Sequence, residues 1–126
     1  MLRWVSPVLN MARTATGDVM LRGQRIKAGD KLLLLYPSAN RDARVFADPF
    51  TFNVERAPND HLAFGYGAHF CLGANLARLE LRVIFEEILK RMPHLELAGD
   101  DALPRRASNF ISGIEALPVE CRGPEN

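Results

Sequence analysis

One cysteine of this chain stands in a sequence where its chemistry could matter. Cys71 lies in the run from Phe64 to Arg78, FGYGAHFCLGANLAR, which is crowded with glycine and aromatic residues. His69 precedes it by two positions, and a strongly helical sequence follows at once. Three roles are open to such a thiol: a buried apolar side chain, a nucleophile, or a metal ligand.

The residues around Cys71 favour an ionised sulfur. The thiol would lie at the positive end of the dipole of the following helix, where amides not yet used by that helix can point at it. Gly65, Gly67 and Gly73 let the loop bend sharply and leave a flat space beside the sulfur. This arrangement suits ligation of a planar cofactor through its metal, as in a haem with an axial cysteine.

The spacing of this run resembles the haem-binding signature of the cytochrome P-450 monooxygenases. That signature is Phe, two residues, Gly, one residue, His or Arg, one residue, Cys, one residue and Gly, and each constrained position is filled from Phe64 to Gly73. The resemblance implies that Cys71 is the axial iron ligand, that His69 donates to a haem propionate and that Phe64 shields the sulfur. A nucleophilic Cys71 activated by His69 is the alternative, although no third orienting group is evident.

The resemblance extends over essentially the whole chain and matches the carboxyl-terminal third of such an enzyme. Asn40 to Phe52 resembles the family's meander region, and Arg56 matches the arginine that pairs there with a Glu-x-x-Arg motif. Arg3 falls where the arginine of that motif belongs, so the glutamate would stand one position before Met1. We therefore expect residues 1–126 to be a truncated fragment of a single cytochrome P-450 domain that begins inside a helix.

Further residues match family positions around the haem. Arg13 matches a position that commonly binds the other propionate, for which the guanidinium fork is suited; a surface arginine is the alternative. Arg78 and Arg82 would help to dock an acidic electron donor such as a ferredoxin, unless they form only a solvated face. Residues that would face the haem and substrate, or else be plain core, are Val8, Leu9, Asn10, Met11, Phe110 and Ile111.

The resemblance implies the mainly helical α+β fold of that family and haem b as the cofactor. The enzyme would insert one oxygen atom from O2 into a C–H bond of a lipophilic substrate, with electrons from a ferredoxin-type partner. The runs SPVLNMARTATGDV, NRD and ASNFISGIEALPV most resemble soluble bacterial members that oxidise the side chain of sterols. The alternative is an inactive truncated fragment that does not bind haem stably on its own.

Composition excludes several other classes of function. A net charge of +1 over 126 residues argues against nucleic acid as the main partner. The longest apolar run, Leu32 to Tyr36, is far shorter than a membrane span, and the first residues lack the apolar core of a signal peptide. We therefore expect a cytoplasmic protein with reduced Cys71 and Cys121, which have no zinc-site spacing.

One long helix would have to position the cysteine. The sequence predicts it over Leu72 to Met92, where an apolar row is widened by neighbouring positions into a stripe broad enough for a helix buried on most sides. That row is Leu72, Leu76, Leu79 and Val83.

The rest of the chain predicts short elements. Helices are expected over Met1 to Val5 and from Pro37 through Ala43, and an ordered coil packed by aromatic residues over Phe46 to Arg56. A hairpin turn is expected at Ser112-Gly113, and a frayed tail from Arg122. The expected strands are Val19–Leu21, Arg25–Ile26, Lys31–Tyr36, Leu95–Ala98, Asn109–Ile111 and Leu117–Cys121.

Overall fold

A computed structural model describes residues 1–99 and 101–121, in which one long helix accompanies short helices and strands. They divide into two compact units: a first unit of Met1–Ala63 with Ser108–Ser112, and a second unit of Phe64–Ala107 with Gly113–Asn126. The α-helices are α1 (Leu2–Val5), α2 (Tyr36–Ala39) and α3 (Ala74–Arg91). The strands are β1 (Asn10–Thr14), β2 (Val19–Leu21), β3 (Gln24–Ile26), β4 (Lys31–Leu35), β5 (Leu95–Leu97) and β6 (Val119–Cys121).

Two antiparallel strand pairs build the first unit. β1 pairs with β4, and β2 pairs with β3. Arg22 and Gly23 both have positive φ, 47° and 79°, as a two-residue hairpin between right-twisted strands requires. The predicted strands β2, β3 and β4 are confirmed to within one residue, whereas no strand was predicted at β1.

A buried polar network joins the two short helices of the first unit. Asn40 is fully buried; its amide nitrogen donates to Ser6 Oγ and its amide oxygen accepts from the Leu62 N–H. Helix α2 ends at Ala39, and its C-cap Asn40 makes these side-chain contacts with helical backbone angles, φ −72° and ψ −3°. The predicted continuation of that helix to Ala43 is wrong, while the helix predicted over Met1 to Val5 is confirmed as α1.

The segment from Phe46 to Arg56 is irregular, as expected, but its aromatic residues do not all pack. Phe46 is buried, and the guanidinium carbon of Arg3 lies 4.9 Å from its ring centroid. Phe50 and Phe52 are exposed, although the Phe52 ring meets Trp4 edge-on at 5.5 Å. The expectation of a coil packed by three phenylalanines is thus confirmed for Phe46 alone.

Helix α3 confirms the predicted long helix, but its predicted burial is wrong. Ala74 is its only buried residue. Leu76, Leu79 and Val83 are 59%, 56% and 49% exposed, because no element of the described residues covers this apolar row.

The end of the second unit is a small antiparallel pair. β5 pairs with β6 in the register Leu95↔Cys121, which confirms both predicted strands in part. The strand predicted over Asn109–Ile111 is reduced to a single bridge between Ile111 and Val8. The predicted turn at Ser112-Gly113 is wrong, because the chain bends at Asn109 and Phe110 instead. Ser108 Oγ accepts from the amides of Phe110 and Ile111 at this bend. The predicted frayed tail lies outside the described residues.

The helices of the described residues were compared with the requirements of a membrane-spanning segment. None of them combines the length and apolar character that a crossing requires.

Candidate functional site

The segment Phe64–Gly73, here called the cysteine loop, is closed by its own backbone. The Cys71 N–H donates to the Phe64 carbonyl at 2.9 Å, which ties the two ends together. Between them Gly67–His69 forms one turn of 3₁₀-helix, and the Phe70 N–H donates to the Gly67 carbonyl at 3.0 Å. The loop is therefore a defined turn that fixes where the cysteine backbone lies.

The glycines of this loop serve two different purposes. Gly65 and Gly67 have φ of 73° and 72°, values that an L side chain rarely adopts. Gly73 has an ordinary φ of −83°, but a Cβ at this position would lie 4.0 Å from Cys71 Sγ. Gly73 thus leaves open space beside the sulfur, whereas the other two allow the chain to turn.

The sulfur lies close in sequence to the positive end of α3. The helix begins at Ala74, three residues after Cys71, and its N-cap is Gly73, so no side chain caps its first amides. Uncapped amides and the helix dipole both favour an anion there. Cys71 is an exposed free thiol, as is Cys121. The predicted position of Cys71 just before the long helix is confirmed, because α3 begins at Ala74.

The histidine of the loop does not act on the cysteine in this arrangement. His69 is exposed, and no hydrogen bond within the described part of the chain joins it to Cys71. A nucleophilic pair requires such contact, or close approach to it, together with a third group that orients the base. The geometry gives the nucleophile alternative no support.

Three side chains meet at the start of the loop. The half-buried Phe64 ring meets Phe70 edge-on, with centroids 6.3 Å apart, and the guanidinium carbon of Arg78 lies 5.1 Å from the Phe64 centroid. Arg78 belongs to the second turn of α3, so this contact joins the helix to the loop. Arg78 was expected on a docking surface or on a solvated face, and no pattern in the sequence indicated its contact with Phe64.

The surface around the sulfur fits a flat, apolar group that carries a metal. Phe70 and Leu72 flank Cys71 in the sequence and are 51% and 103% exposed, so exposed apolar side chains stand on both sides of a single exposed thiol. Within residues 1–99 and 101–121, no three His, Cys, Asp or Glu side chains come together to hold a bare metal ion. A haem needs only one or two protein ligands to its iron and matches this donor set.

The residues expected to face the haem and substrate come together in the first unit. Val8 pairs with Ile111, and the Leu9 N–H donates to the Phe110 carbonyl at 2.8 Å. The Asn10 side-chain amide donates to the Asn109 carbonyl at 2.7 Å, which ties β1 to the same segment. The structure thus joins the two predicted stretches of chain, although they are about 100 positions apart.

Arg13 lies on β1 opposite Leu32, and its side chain is exposed. Its guanidinium donates to the neighbouring Ala12 carbonyl at 2.8 Å, and no carboxylate of the described residues binds it. The side chain therefore keeps donors for an anionic group.

A second cluster of charge lies in the first unit. Arg3 is 4% exposed; burial lowers its pKa, and the positive charges of Arg56 and Arg41 lower it further. Arg56 donates to the carbonyls of Ala47 and Asp48, but its Nε is buried without a partner among the described residues. Arg3 also donates to the carbonyls of Asn40 and Pro49, so backbone carbonyls accept from this cluster and one buried donor, Arg56 Nε, is left over.

Comparison with known proteins identifies close relatives. The family model described as Cytochrome P450 matches residues 1–115. The chain is 54% identical to the steroid C26-monooxygenase of Mycolicibacterium smegmatis over 119 residues, which are 94% of this chain and 30% of the relative. It is 56% identical to the methyl-branched lipid omega-hydroxylase of Mycobacterium bovis, covering 94% of this chain and 27% of the relative.

Solved structures show the same architecture. The crystal structure of CYP109E1 from Bacillus megaterium in complex with testosterone matches with a TM-score of 0.91 and 39% identity. The match covers 97% of this chain and 34% of CYP109E1. The chain thus spans about a third or less of the relatives that it matches, and over that length its fold is theirs.

Proposed function

The chain belongs to the cytochrome P450 family, and from this membership we propose that it forms the haem-binding part of a monooxygenase. That enzyme inserts one oxygen atom from O2 into a C–H bond of a lipophilic substrate. The observation that carries the proposal is the cysteine loop, which leaves an exposed thiol three residues before the uncapped start of α3.

Haem b is the proposed cofactor, and Cys71 is its proposed ligand through Sγ. His69 and Arg13 donate to the propionates, and Phe64, Gly65 and Gly73 line the cofactor. A haem with a cysteine thiolate ligand supplies oxygen activation, because the thiolate favours cleavage of the O–O bond.

The chain's own residues prepare the sulfur for this role. The start of α3, where the helix dipole favours an anion, lies three residues after Cys71. The Phe64 ring is proposed to pack beside the sulfur when haem is bound, and the hydrogen bond from the Cys71 N–H to the Phe64 carbonyl fixes where the cysteine backbone lies. Gly73 keeps the space beside Sγ open.

The substrate is proposed to be a sterol or a related lipid. The support is that relatives are named a steroid C26-monooxygenase and a methyl-branched lipid omega-hydroxylase, and that one solved relative holds testosterone. A ferredoxin-type electron donor and a cytoplasmic location remain predictions. The proposed substrate contacts are Val8, Leu9, Asn10, Met11, Phe110 and Ile111.

Haem titration of the purified chain tests the proposal. We expect saturable uptake and a thiolate-type difference spectrum with carbon monoxide. Cys71→Ser is expected to lose that spectrum, and Cys121→Ser, which removes the other exposed thiol, is expected to keep it. An unchanged Soret band in Cys71→Ser would overturn the assignment of the ligand.

A second candidate is a chain that carries the ligand loop but does not hold haem stably on its own. It is favoured by the small number of buried apolar side chains. Among the described residues, these are Phe46, Ala63 and Ala74. This candidate predicts no saturation in the same titration. The thiol-dependent hydrolase alternative instead predicts an activity that alkylation of Cys71 blocks and that is indifferent to haem.

A further inference from the structure

We propose that Arg78 is a positioning residue that holds the cysteine loop in the geometry of a ligand. Its guanidinium lies on the Phe64 ring and thereby keeps the Phe64 backbone where the carbonyl accepts the Cys71 N–H. The consequence for iron ligation rests on the proposed function, whereas the effect on the loop does not.

The placement of Arg78 explains how a helix residue reaches the loop. Arg78 follows Ala74, the first residue of α3, by four positions, so both lie on one face of the helix. Long side chains of a helix lean towards its amino terminus, and here that direction leads back to the loop. The guanidinium carbon is 5.1 Å from the Phe64 centroid, within the range of a cation–π contact.

Phe64 matters because its ring and its carbonyl belong to the same residue. The ring meets Phe70 on one edge and Arg78 on a face, and the carbonyl receives the Cys71 amide at 2.9 Å. Removing the cation loosens the ring, and a looser Phe64 backbone breaks the hydrogen bond more often. The sulfur then loses the fixed direction that its backbone provides.

Hydrogen exchange at the Cys71 amide, measured on the full chain without haem, tests this coupling. Arg78→Gln is expected to accelerate exchange about two- to fivefold, the factor that corresponds to about 0.5–1 kcal/mol for an exposed cation–π contact. Arg82→Gln is the matched control: it removes the same charge one turn further along α3 and is expected to leave this amide unchanged. Arg78→Lys, which keeps a cation, is expected to give a smaller acceleration than Arg78→Gln.

A double-mutant cycle separates positioning from a general effect on stability. Phe64→Leu alone should accelerate exchange at Cys71, and adding Arg78→Gln to Phe64→Leu should change it no further, since the two side chains act as one unit. Additive effects, equal effects of Arg78→Gln and Arg82→Gln, or exchange of the unmodified loop at the rate of an unstructured peptide would each overturn the inference. A chain that shows the coupling but takes up no haem would overturn the proposed function alone.

Discussion

At position 67 the backbone alone decides which residue is tolerated. Gly67 has a φ of 72° and open space around the site of a Cβ, so a side chain there would meet no neighbour and would still be strained. Gly73 is the opposite case, with an allowed φ and the cysteine sulfur nearby. Two glycines of one loop are therefore present for different physical reasons.

Alanine at each glycine should separate these reasons. Gly67→Ala is expected to lower the free energy of unfolding by about 1–2 kcal/mol, the cost of the left-handed conformation for an L residue. Gly73→Ala should cost much less, because 4.0 Å from Sγ is an ordinary contact. Urea unfolding measures both. Equal losses in the two variants would contradict the argument from φ.

The arginine cluster makes a second prediction at the scale of single residues. Arg56 Nε is buried without an acceptor in the described part of the chain, beside the buried cation of Arg3. We expect a helical extension that places Glu one position before Met1 to raise the free energy of unfolding by about 1.5–3 kcal/mol over the same extension with Gln. The reason is that a residue three positions before Arg3 lies on the same face of α1.

The two extensions are compared by urea unfolding, and they differ only in the charge of one side chain. The gain with Glu should become smaller in an Arg56→Met background, because the carboxylate then keeps only Arg3 as a cationic partner. A gain of unchanged size without Arg56 would place the carboxylate away from this arginine.

At the scale of elements, α3 has a buried first residue and an exposed apolar face. Ala74 is 2% exposed, whereas Leu79 is 56% exposed. We expect Leu79→Gln to change the thermal midpoint of the isolated chain very little, since its side chain is already largely in water. Ala74→Gln should destabilise by about 1–3 kcal/mol, because a longer polar side chain must enter a filled space.

Thermal unfolding followed at the helical circular dichroism band compares the two variants. Both variants place glutamine in the same helix, so the helix propensity of the introduced residue is the same in both. Greater damage from Leu79→Gln would mean that the apolar side of α3 is covered in solution.

At the scale of the whole molecule, little apolar surface is removed from water. Large apolar side chains are exposed on α3, on strands of both units and in the loops of the described residues. We expect the isolated chain to enhance the fluorescence of a hydrophobic dye and to unfold in urea with a slope below about 1 kcal/mol/M. A steep cooperative transition without dye binding would contradict this expectation.

The sequence by itself determined the family, the cysteine and its place before a long helix. These follow from local rules: fixed spacing in a short motif, glycines where the chain turns, and apolar residues at the period of a helix. The same rules located most of the strands, since alternation and turn residues are also local. They failed at Pro37 to Ala43, where the helix ends at Ala39, and they did not reveal that Asn40 contacts the distant Ser6 and Leu62.

Tertiary structure alone decided what each side chain touches. No pattern in the sequence shows that Arg78 lies on Phe64, that Val8 pairs with Ile111 or that Arg56 Nε has no acceptor among the described residues. The prediction that α3 is buried on most sides was also wrong. An apolar stripe shows which face a helix can bury, but it does not show whether another element covers that face. Contacts between residues far apart in the chain depend on the path of the backbone, and local sequence rules do not contain that path.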